Sequence, residues 1–163
     1  RSFNTPVSIV RPFNTYGPRQ SARAIIPTII TQILNNKEKI KLGSLSPTRD
    51  LTYVKDTVEG FIKVAEQERS IGEIINIGSN FEISIQDLTK LIAKITNRDI
   101  KVETEEERIR PENSEVERLK ADTTKAKELL NWSPAYTLEE GLRETVNWLS
   151  THLDLYKPEI YNI

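Results

Sequence analysis

The chain has 163 residues, of which 37% are hydrophobic and 29% are charged, a composition typical of one globular domain rather than of a disordered or membrane-spanning protein. The formal net charge of -1 excludes a global field that would draw the protein to nucleic acid or to an anionic membrane. The absence of cysteine excludes a disulfide framework, a thiolate metal site and a cysteine nucleophile, and it indicates the cytoplasm as the compartment.

The first half of the chain alternates short apolar runs with amphipathic segments. The run from Pro6 to Val10 lacks polar alternation, which predicts a strand buried on both faces, as in a parallel sheet. After a polar loop, Pro27 predicts the first turn of a helix, and a short strand is predicted over 40–43, followed by a second polar loop. Asp56 with Glu59 three residues later is predicted to cap the next helix.

The same order repeats in the second half. Residues 73–78 predict another apolar strand, and Ser84 is predicted to cap a helix with an apolar stripe. Residues 101–108 alternate at their start and then become a charge run, which predicts a strand with a solvated end. Strands that alternate with helices indicate an α/β fold.

Two more helices are predicted near the end of the chain. Asp122 is expected to open a short helix that closes at Pro134, because proline ends helices. Thr137 and Glu140 have the spacing of a capping box at the start of the last helix. Trp132 is expected to pack in the core.

The predicted strands are too few for a complete doubly wound sheet. Parallel strands need neighbours and covering layers, so we expect partner strands upstream of Arg1. The chain also contains no methionine. These features are those of one piece of a longer polypeptide, although trimming would also explain the first residue.

Three segments combine arginine with turn-forming residues: 11–20, 46–56 and 108–118. A guanidinium presents a planar fork of donors that matches two phosphate oxygens, so arginines that converge from separate loops suit a diphosphate. The alternative for any single loop arginine is an ordinary surface ion pair.

Two asparagines follow the predicted buried strands. Asn14 and Asn80 lie where open α/β sheets bind ligands, at the carboxyl ends of strands; the alternative is that each closes a turn. The lone histidine, His152, lies near the end of the last helix and is expected to interact with the helix terminus or solvent, so no metal site is predicted. Trp148 is expected to pack on the core.

Two signatures of nicotinamide-dependent enzymes are missing. The six glycines form no G-x-G-x-x-G phosphate loop, and none of the five tyrosines has a lysine four residues later.

Six motifs nevertheless occur in a familiar order over nearly the whole chain: V-R-P-F-N-T-Y-G-P at 10–18, I-I-P at 25–27, T-R-D-L-T-Y-V-K-D at 48–56, I-N-I-G at 75–78, R-P-E at 110–112 and A-D-T-T-K-A-K-E-L-L-N-W at 121–132. Together they resemble the C-terminal half of the extended short-chain dehydrogenase/reductase family, the NAD-dependent nucleotide-sugar epimerases and 4,6-dehydratases. The details look most like the 4,6-dehydratases that act on nucleotide-linked N-acetylglucosamine. The resemblance implies that residues 1–163 hold the last strands of a Rossmann-type sheet and the smaller substrate-binding domain.

The resemblance also implies site residues. Backbone at Pro12 and Phe13 would meet the nicotinamide of NAD, which is bound mainly by a half that precedes Arg1. The substrate contacts would be Asn14 on the phosphates, Ile26 and Pro27 in the nucleotide pocket, Arg49 and Arg110 on the diphosphate, Asn80 as a further polar contact, and Glu112 or Asn113 on the ribose. The resemblance does not choose between Glu112 and Asn113 for the ribose contact, because many family members have R-P-G-D where this chain has R-P-E-N.

For a dehydratase, the resemblance implies that NAD takes a hydride from hexose C4, water leaves across C5 and C6, and the hydride returns to C6. All catalytic groups would then precede Arg1, and this chain would supply substrate binding only. The implied substrate is UDP- or GDP-N-acetylglucosamine, used for bacterial surface sugars, and the full-length protein is expected to be a homodimer. A 4-epimerase and a non-catalytic sugar-nucleotide-binding module are the alternatives.

Overall fold

A computed structural model describes residues 5–109 and 116–156, which form the α/β fold predicted from the sequence. The strands are β1 (Ile9–Pro12), β2 (Asn14–Tyr16), β3 (Lys39–Leu42), β4 (Thr48–Tyr53), β5 (Ile74–Ile77), β6 (Glu82–Ser84), β7 (Lys101–Thr104) and β8 (Arg118–Leu119). The α-helices are α1 (Ile25–Leu34), α2 (Val54–Glu66), α3 (Ile85–Thr96), α4 (Thr124–Leu130) and α5 (Leu138–Ser150). None of these helices has the length and apolar character needed to cross a membrane.

Within the described residues, the strands form three small sheets. β1 and β5 pair in parallel, with Ile9 opposite Ile74, and β3 and β7 form a second parallel pair. β4 is central to the third sheet, where it pairs in parallel with β2 and β8 and antiparallel with β6. β4 therefore connects the segment that follows β1 to the turn that follows β5.

Two apolar cores hold these sheets in place. In the larger core, α1, α3 and α5 pack on β3 and β4, and its fully buried members include Tyr16, Ile29, Ile30, Ile33, Leu88, Ile92 and Leu142. In the smaller core, α2 and α4 cover one face of the β1–β5 pair through Val64, Ile75, Ile77, Ala126, Leu130 and Trp132. The predicted apolar stripes of the helices form these cores.

The first strand differs from the prediction in position and in burial. It runs from Ile9 to Pro12 rather than over 6–10, and the prediction that both of its faces are buried is wrong. Ile9 is 49% exposed and its partner Ile74 is 40% exposed, whereas Val10 packs on the smaller core. The reason is that α2 and α4 cover only one face of this pair, and no element of the described chain covers the other.

Helix caps show which local signals are reliable. The Ser84 hydroxyl accepts the Asp87 N–H, and Thr137 with Glu140 forms the complete capping box, so both predictions are confirmed. The prediction of an Asp56 cap is wrong, because α2 already begins at Val54. The buried Asp56 carboxylate instead accepts the backbone N–H groups of residues 135 and 136, which precede α5.

The ends of β7 and α4 also differ from the predicted ones, for local reasons. The strand predicted over 101–108 ends at Thr104, because the acidic run continues into a short 3-10 turn. α4 begins at Thr124, with the Asp122 carboxylate accepting the Thr124 N–H from just outside the helix. It closes at Asn131 in the left-handed conformation, earlier than the predicted Pro134.

Strands β2, β4, β6 and β8 were not predicted, because polar residues such as Arg49 and Asp50 interrupt their apolar patterns. Asp50 is nonetheless fully buried. Its carboxylate accepts three short hydrogen bonds, from the Ser79 N–H and hydroxyl at 2.7 Å each and from the Ala121 N–H at 3.0 Å. These bonds offset the cost of removing a charge from water and tie three distant segments together.

The aromatic residues near the end of the chain pack as expected. Trp132 is buried in the smaller core, and Trp148 is partly buried against the larger one. The His152 ring stacks on Trp148 at 4.2 Å between centroids, and its Nδ1 lies 2.8 Å from the Trp148 carbonyl oxygen. The predicted interaction of His152 with the helix C-terminus is confirmed.

Asn substitution at Asp50 is expected to lower the free energy of unfolding by roughly 1.5 to 3 kcal/mol, because an amide nitrogen must replace an oxygen that receives a backbone N–H. Urea denaturation of D50N measures this loss. The control is D99N, since Asp99 is exposed. Equal midpoints for the two variants would contradict the role assigned to Asp50.

Gly141 lies in α5 against Tyr16, and a Cβ at this position would overlap the Tyr16 hydroxyl oxygen and lie 2.9 Å from Cζ. Alanine favours helix by about 1 kcal/mol over glycine, but overpacking costs about 1 to 3 kcal/mol, so G141A is expected to be destabilising. In a Y16F background, where the hydroxyl is absent, the same substitution is expected to cost less. A higher melting temperature for G141A alone would show that the helix preference wins.

Candidate functional site

A cleft of about 320 Å³ lies where the start of α1 faces β4 and the loop after β3. Asn14, Ile26 and Arg49, which the family resemblance implies as substrate contacts, all line it. The cleft also contains Arg23 and Arg108. Among the described residues that line it there are three guanidinium groups and no carboxylate. The Arg108 charge is paired with Glu105, so the groups that suit an anion are the guanidinium groups of Arg23 and Arg49.

The position of Asn14 is fixed by β4. Asn14 begins β2 and pairs with Leu51, and its Nδ2 donates to the Asp50 carbonyl oxygen at 3.2 Å. An amide nitrogen carries two hydrogens, so the second hydrogen of Nδ2 is left for a ligand acceptor. The side chain is exposed at the cleft and can donate to a phosphate oxygen.

The N-terminus of α1 opens into the same cleft. Ala24 is the N-cap residue and supplies no side-chain hydrogen bond, and Ala24, Ile25 and Ile26 all line the cleft. The first N–H groups of a helix have no partner within the helix and carry its positive dipole end. Pro27 is buried behind this turn and does not line the cleft; its ring removes one donor and presets the helical φ.

The three arginines are held in different ways. The Arg49 guanidinium donates to the carbonyl oxygens of Thr48, at 2.9 Å, and Val116, which anchors it on β4. Arg108 is only 13% exposed and pairs with Glu105. The side chain of Arg23 is exposed at the edge of the cleft.

Sequence reasoning did not select Arg23 or Arg108 as site residues. Arg108 begins the third arginine-bearing segment, so its position carried a signal. The sequence provided no such signal for Arg23 except that it lies just before the predicted helix. Only folding brings the turn that carries Arg23 beside β4.

Pro12 and Phe13 lie at the carboxyl end of β1, directly before Asn14. The Phe13 N–H donates to the Ile77 carbonyl oxygen at 2.9 Å, just as the Ile9 N–H donates to Glu73. Strand groups alternate between edges, so the Pro12 carbonyl faces the opposite edge, where the described chain supplies no strand.

Asn80 lies away from the cleft. It is exposed in the turn between β5 and β6 with φ of 58°, a left-handed conformation that asparagine tolerates well. This geometry agrees with the alternative interpretation, in which Asn80 closes a turn. Arg110, Glu112 and Asn113 fall outside the described residues.

The family model described as GDP-mannose 4,6 dehydratase matches residues 1–145. The chain is 40% identical over 148 residues to UDP-N-acetyl-alpha-D-glucosaminuronate decarboxylase of Bacillus cytotoxicus, covering 88% of this chain and 46% of that protein. It is 31% identical to human dTDP-D-glucose 4,6-dehydratase, covering 95% of this chain and 45% of the human protein. The chain therefore spans about half the length of these relatives.

Solved structures agree. UDP-glucuronic acid 4-epimerase of Bacillus cereus, in complex with UDP-glucuronic acid and NAD, superposes with a TM-score of 0.83 at 32% identity, over 94% of this chain and 47% of that one. The dTDP-glucose 4,6-dehydratase of Bacillus anthracis, in complex with NAD, gives 0.82 at 30% identity, over 96% and 49%. The fold, the motifs and the family match place this chain in the GDP-mannose 4,6-dehydratase family, within the extended short-chain dehydrogenases/reductases that modify nucleotide sugars.

Proposed function

We propose that this chain is the substrate-binding half of an NAD-dependent nucleotide-sugar 4,6-dehydratase, and that the cleft holds the diphosphate of UDP- or GDP-N-acetylglucosamine. The observation that carries the proposal is the convergence of Arg49, Asn14 and the uncapped start of α1 on one cleft without acidic lining. Bidentate guanidinium donors and free helix N–H groups both suit phosphate oxygens.

The diphosphate contacts would act by orientation. Arg49 is anchored on β4, and Asn14 lies next to the end of β1, so a bound diphosphate would hold the hexose near Pro12. Holding the reacting carbon in one place converts binding into rate acceleration. This half of the enzyme would therefore contribute affinity and position, while the catalytic groups would lie in the part of the enzyme that binds NAD.

The residues assigned to NAD fit one specific contact. The Phe13 N–H already donates to Ile77 and its carbonyl oxygen accepts the Thr15 hydroxyl at 3.2 Å, while Pro12 has no N–H. The group that remains is the Pro12 carbonyl, an acceptor for the nicotinamide carboxamide. When bound, NAD supplies hydride transfer to and from the hexose. The unpaired edge of β1 and the uncovered face at Ile9 suit a further parallel strand and its covering layer from the NAD-binding half.

A 4-epimerase is the second candidate. UDP-glucuronate 4-epimerase of Thermodesulfobacterium geofontis is 32% identical over 95% of this chain, against 31% for the human dehydratase over the same share. The residues that would separate the two reactions lie outside this chain under the proposal. A role in bacterial surface sugars, a cytoplasmic location and a homodimer are parts of the same proposal.

Product analysis tests the reaction. The protein as its gene encodes it is incubated with NAD and, in separate assays, with UDP-N-acetylglucosamine or UDP-N-acetylglucosaminuronate, and the products are examined by mass spectrometry and NMR. A 4-keto-6-deoxy sugar, lighter by one water, is expected. A C4 epimer of unchanged mass would support the second candidate, and conversion of the N-acetylglucosaminuronate conjugate alone, with loss of carbon dioxide, would contradict both.

Substitution of Arg49 tests the diphosphate contact. R49A is expected to weaken UDP binding by about 1.5 to 3 kcal/mol, the scale of a hydrogen bond to a charged group, and R49K to recover part of this loss because it keeps the charge without the fork. The matched control is R98A, since Arg98 is exposed and away from the cleft. Titration calorimetry measures the affinities of the wild type and the three variants, and wild-type binding by R49A would refute the placement of the diphosphate.

A further inference from the structure

A bidentate ion pair joins the two strands that flank the start of β4. The Glu82 carboxylate on β6 accepts the Arg118 Nε at 3.0 and 2.8 Å and the Arg118 Nη2 at 2.5 Å. The same carboxylate accepts the Thr48 hydroxyl at 2.9 Å. One acidic side chain therefore ties both β6 and β8 to the strand between them.

The pair lies outside the cleft, since neither Glu82 nor Arg118 lines it. Glu82 lies opposite Asp50 in the antiparallel pairing. Arg118 lies opposite Thr48 in the parallel pairing. Successive side chains of a strand point to opposite faces, so the ion pair and the Arg49 side chain lie on different faces of the sheet. Any effect of the pair on a ligand must therefore pass through the strands.

The pair holds the segment that anchors Arg49. The carbonyl oxygen of Val116, two residues before Arg118, accepts the Arg49 guanidinium. β8 has only two residues, and the Thr48 N–H donates to the Glu117 carbonyl oxygen at 2.8 Å just before it. So short a strand has few backbone hydrogen bonds, and side-chain contacts then decide how firmly it is held.

The charge of Glu82 by itself would oppose the binding of an anion. Hydrogen bonds from Arg118, first, and from Thr48 lower the pKa of Glu82 to about 2, so the carboxylate is ionised at neutral pH. A negative charge close to an anion site repels the ligand. A favourable effect of Glu82 on a diphosphate must therefore come from position, and bidentate pairing with arginine is a geometry that fixes position.

We propose that Glu82 is a positioning residue of the diphosphate site. By pairing with Arg118 it holds residues 116–119 against β4, and the Val116 carbonyl then keeps the Arg49 guanidinium in its place at the cleft. The inference rests on the proposed function, in which Arg49 binds the diphosphate. It has a distinctive sign, because the loss of an acidic side chain weakens the binding of an anion.

UDP affinity tests the inference in the protein as its gene encodes it. E82A is expected to weaken UDP binding about two- to tenfold, the lower part of the range for residues coupled in one network. In an R49A background the same substitution is expected to cause no further loss, since the group that Glu82 positions is gone. E82Q keeps the length of the side chain and is expected to show an intermediate loss. The control is E139A, which removes a carboxylate paired with Arg143 on α5, outside the cleft.

Titration calorimetry gives the affinities, and thermal unfolding shows that each variant is folded at the titration temperature; if E82A is not, E82Q takes its place in both backgrounds. A loss that disappears in the R49A background supports the positioning role. Wild-type or tighter binding by E82A, an equal loss in both backgrounds, or the same loss in E139A would overturn the inference while leaving the proposed function intact. If the wild-type protein does not bind UDP, or R49A binds it as tightly as the wild type, the placement of the diphosphate fails and the inference fails with it.

Discussion

The buried carboxylate of Asp50 is the interaction on which the arrangement of the site depends. It joins β4 to the turn after β5 through Ser79 and to the segment before α4 through Ala121. The space around it is filled, since a Cβ at Gly78 would overlap the Ala121 side chain. A buried charge tolerates little displacement of its donors, so three segments far apart in the sequence are held in one geometry.

This constraint extends directly to the cleft. The residue before Asp50 is Arg49, and the backbone carbonyl of Asp50 accepts the amide of Asn14. The positions of both proposed phosphate contacts are therefore fixed by the same short stretch of β4. The segment from residue 13 to 24 is also braced by the end of the chain, where Tyr16 donates to the Leu138 carbonyl and Tyr156 to the Gln20 carbonyl. Groups held this way need little reordering when a ligand binds, which preserves affinity.

The sequence predicted interactions between residues that are close in the chain and missed those between distant residues. Ser84 and the pair Thr137 and Glu140 cap helices through contacts three residues apart, so their spacing alone is sufficient. Asp56 has the same spacing to Glu59, yet its carboxylate is used by a loop nearly 80 residues away, which no local pattern reveals.

β4 was missed for the same reason. An Arg-Asp pair predicts a loop unless one knows that distant backbone N–H groups will surround the carboxylate. At the site, three residues that the family resemblance implies as substrate contacts, Asn14, Ile26 and Arg49, line one cleft, but the motifs gave no reason to select Gln20 or Arg23. Those two residues lie in a turn whose position depends on contacts with Tyr156 and Thr15 that form only in the folded chain.

Under the proposed function, the exposed face of β1 and the cleft beside it would serve different purposes in such an enzyme. Under the proposed function, the binding groups lie on elements that pack on the larger core, so a bound diphosphate would meet an anchored surface. The incompletely covered strand, by contrast, ends at Pro12, where the reacting carbon would meet the cofactor. Binding energy gained at the diphosphate, remote from the bond that changes, can then be used to position the hexose at the boundary between two halves. If the binding half is kept and the groups across the boundary vary, the same mode of substrate attachment would serve dehydration, epimerisation or decarboxylation.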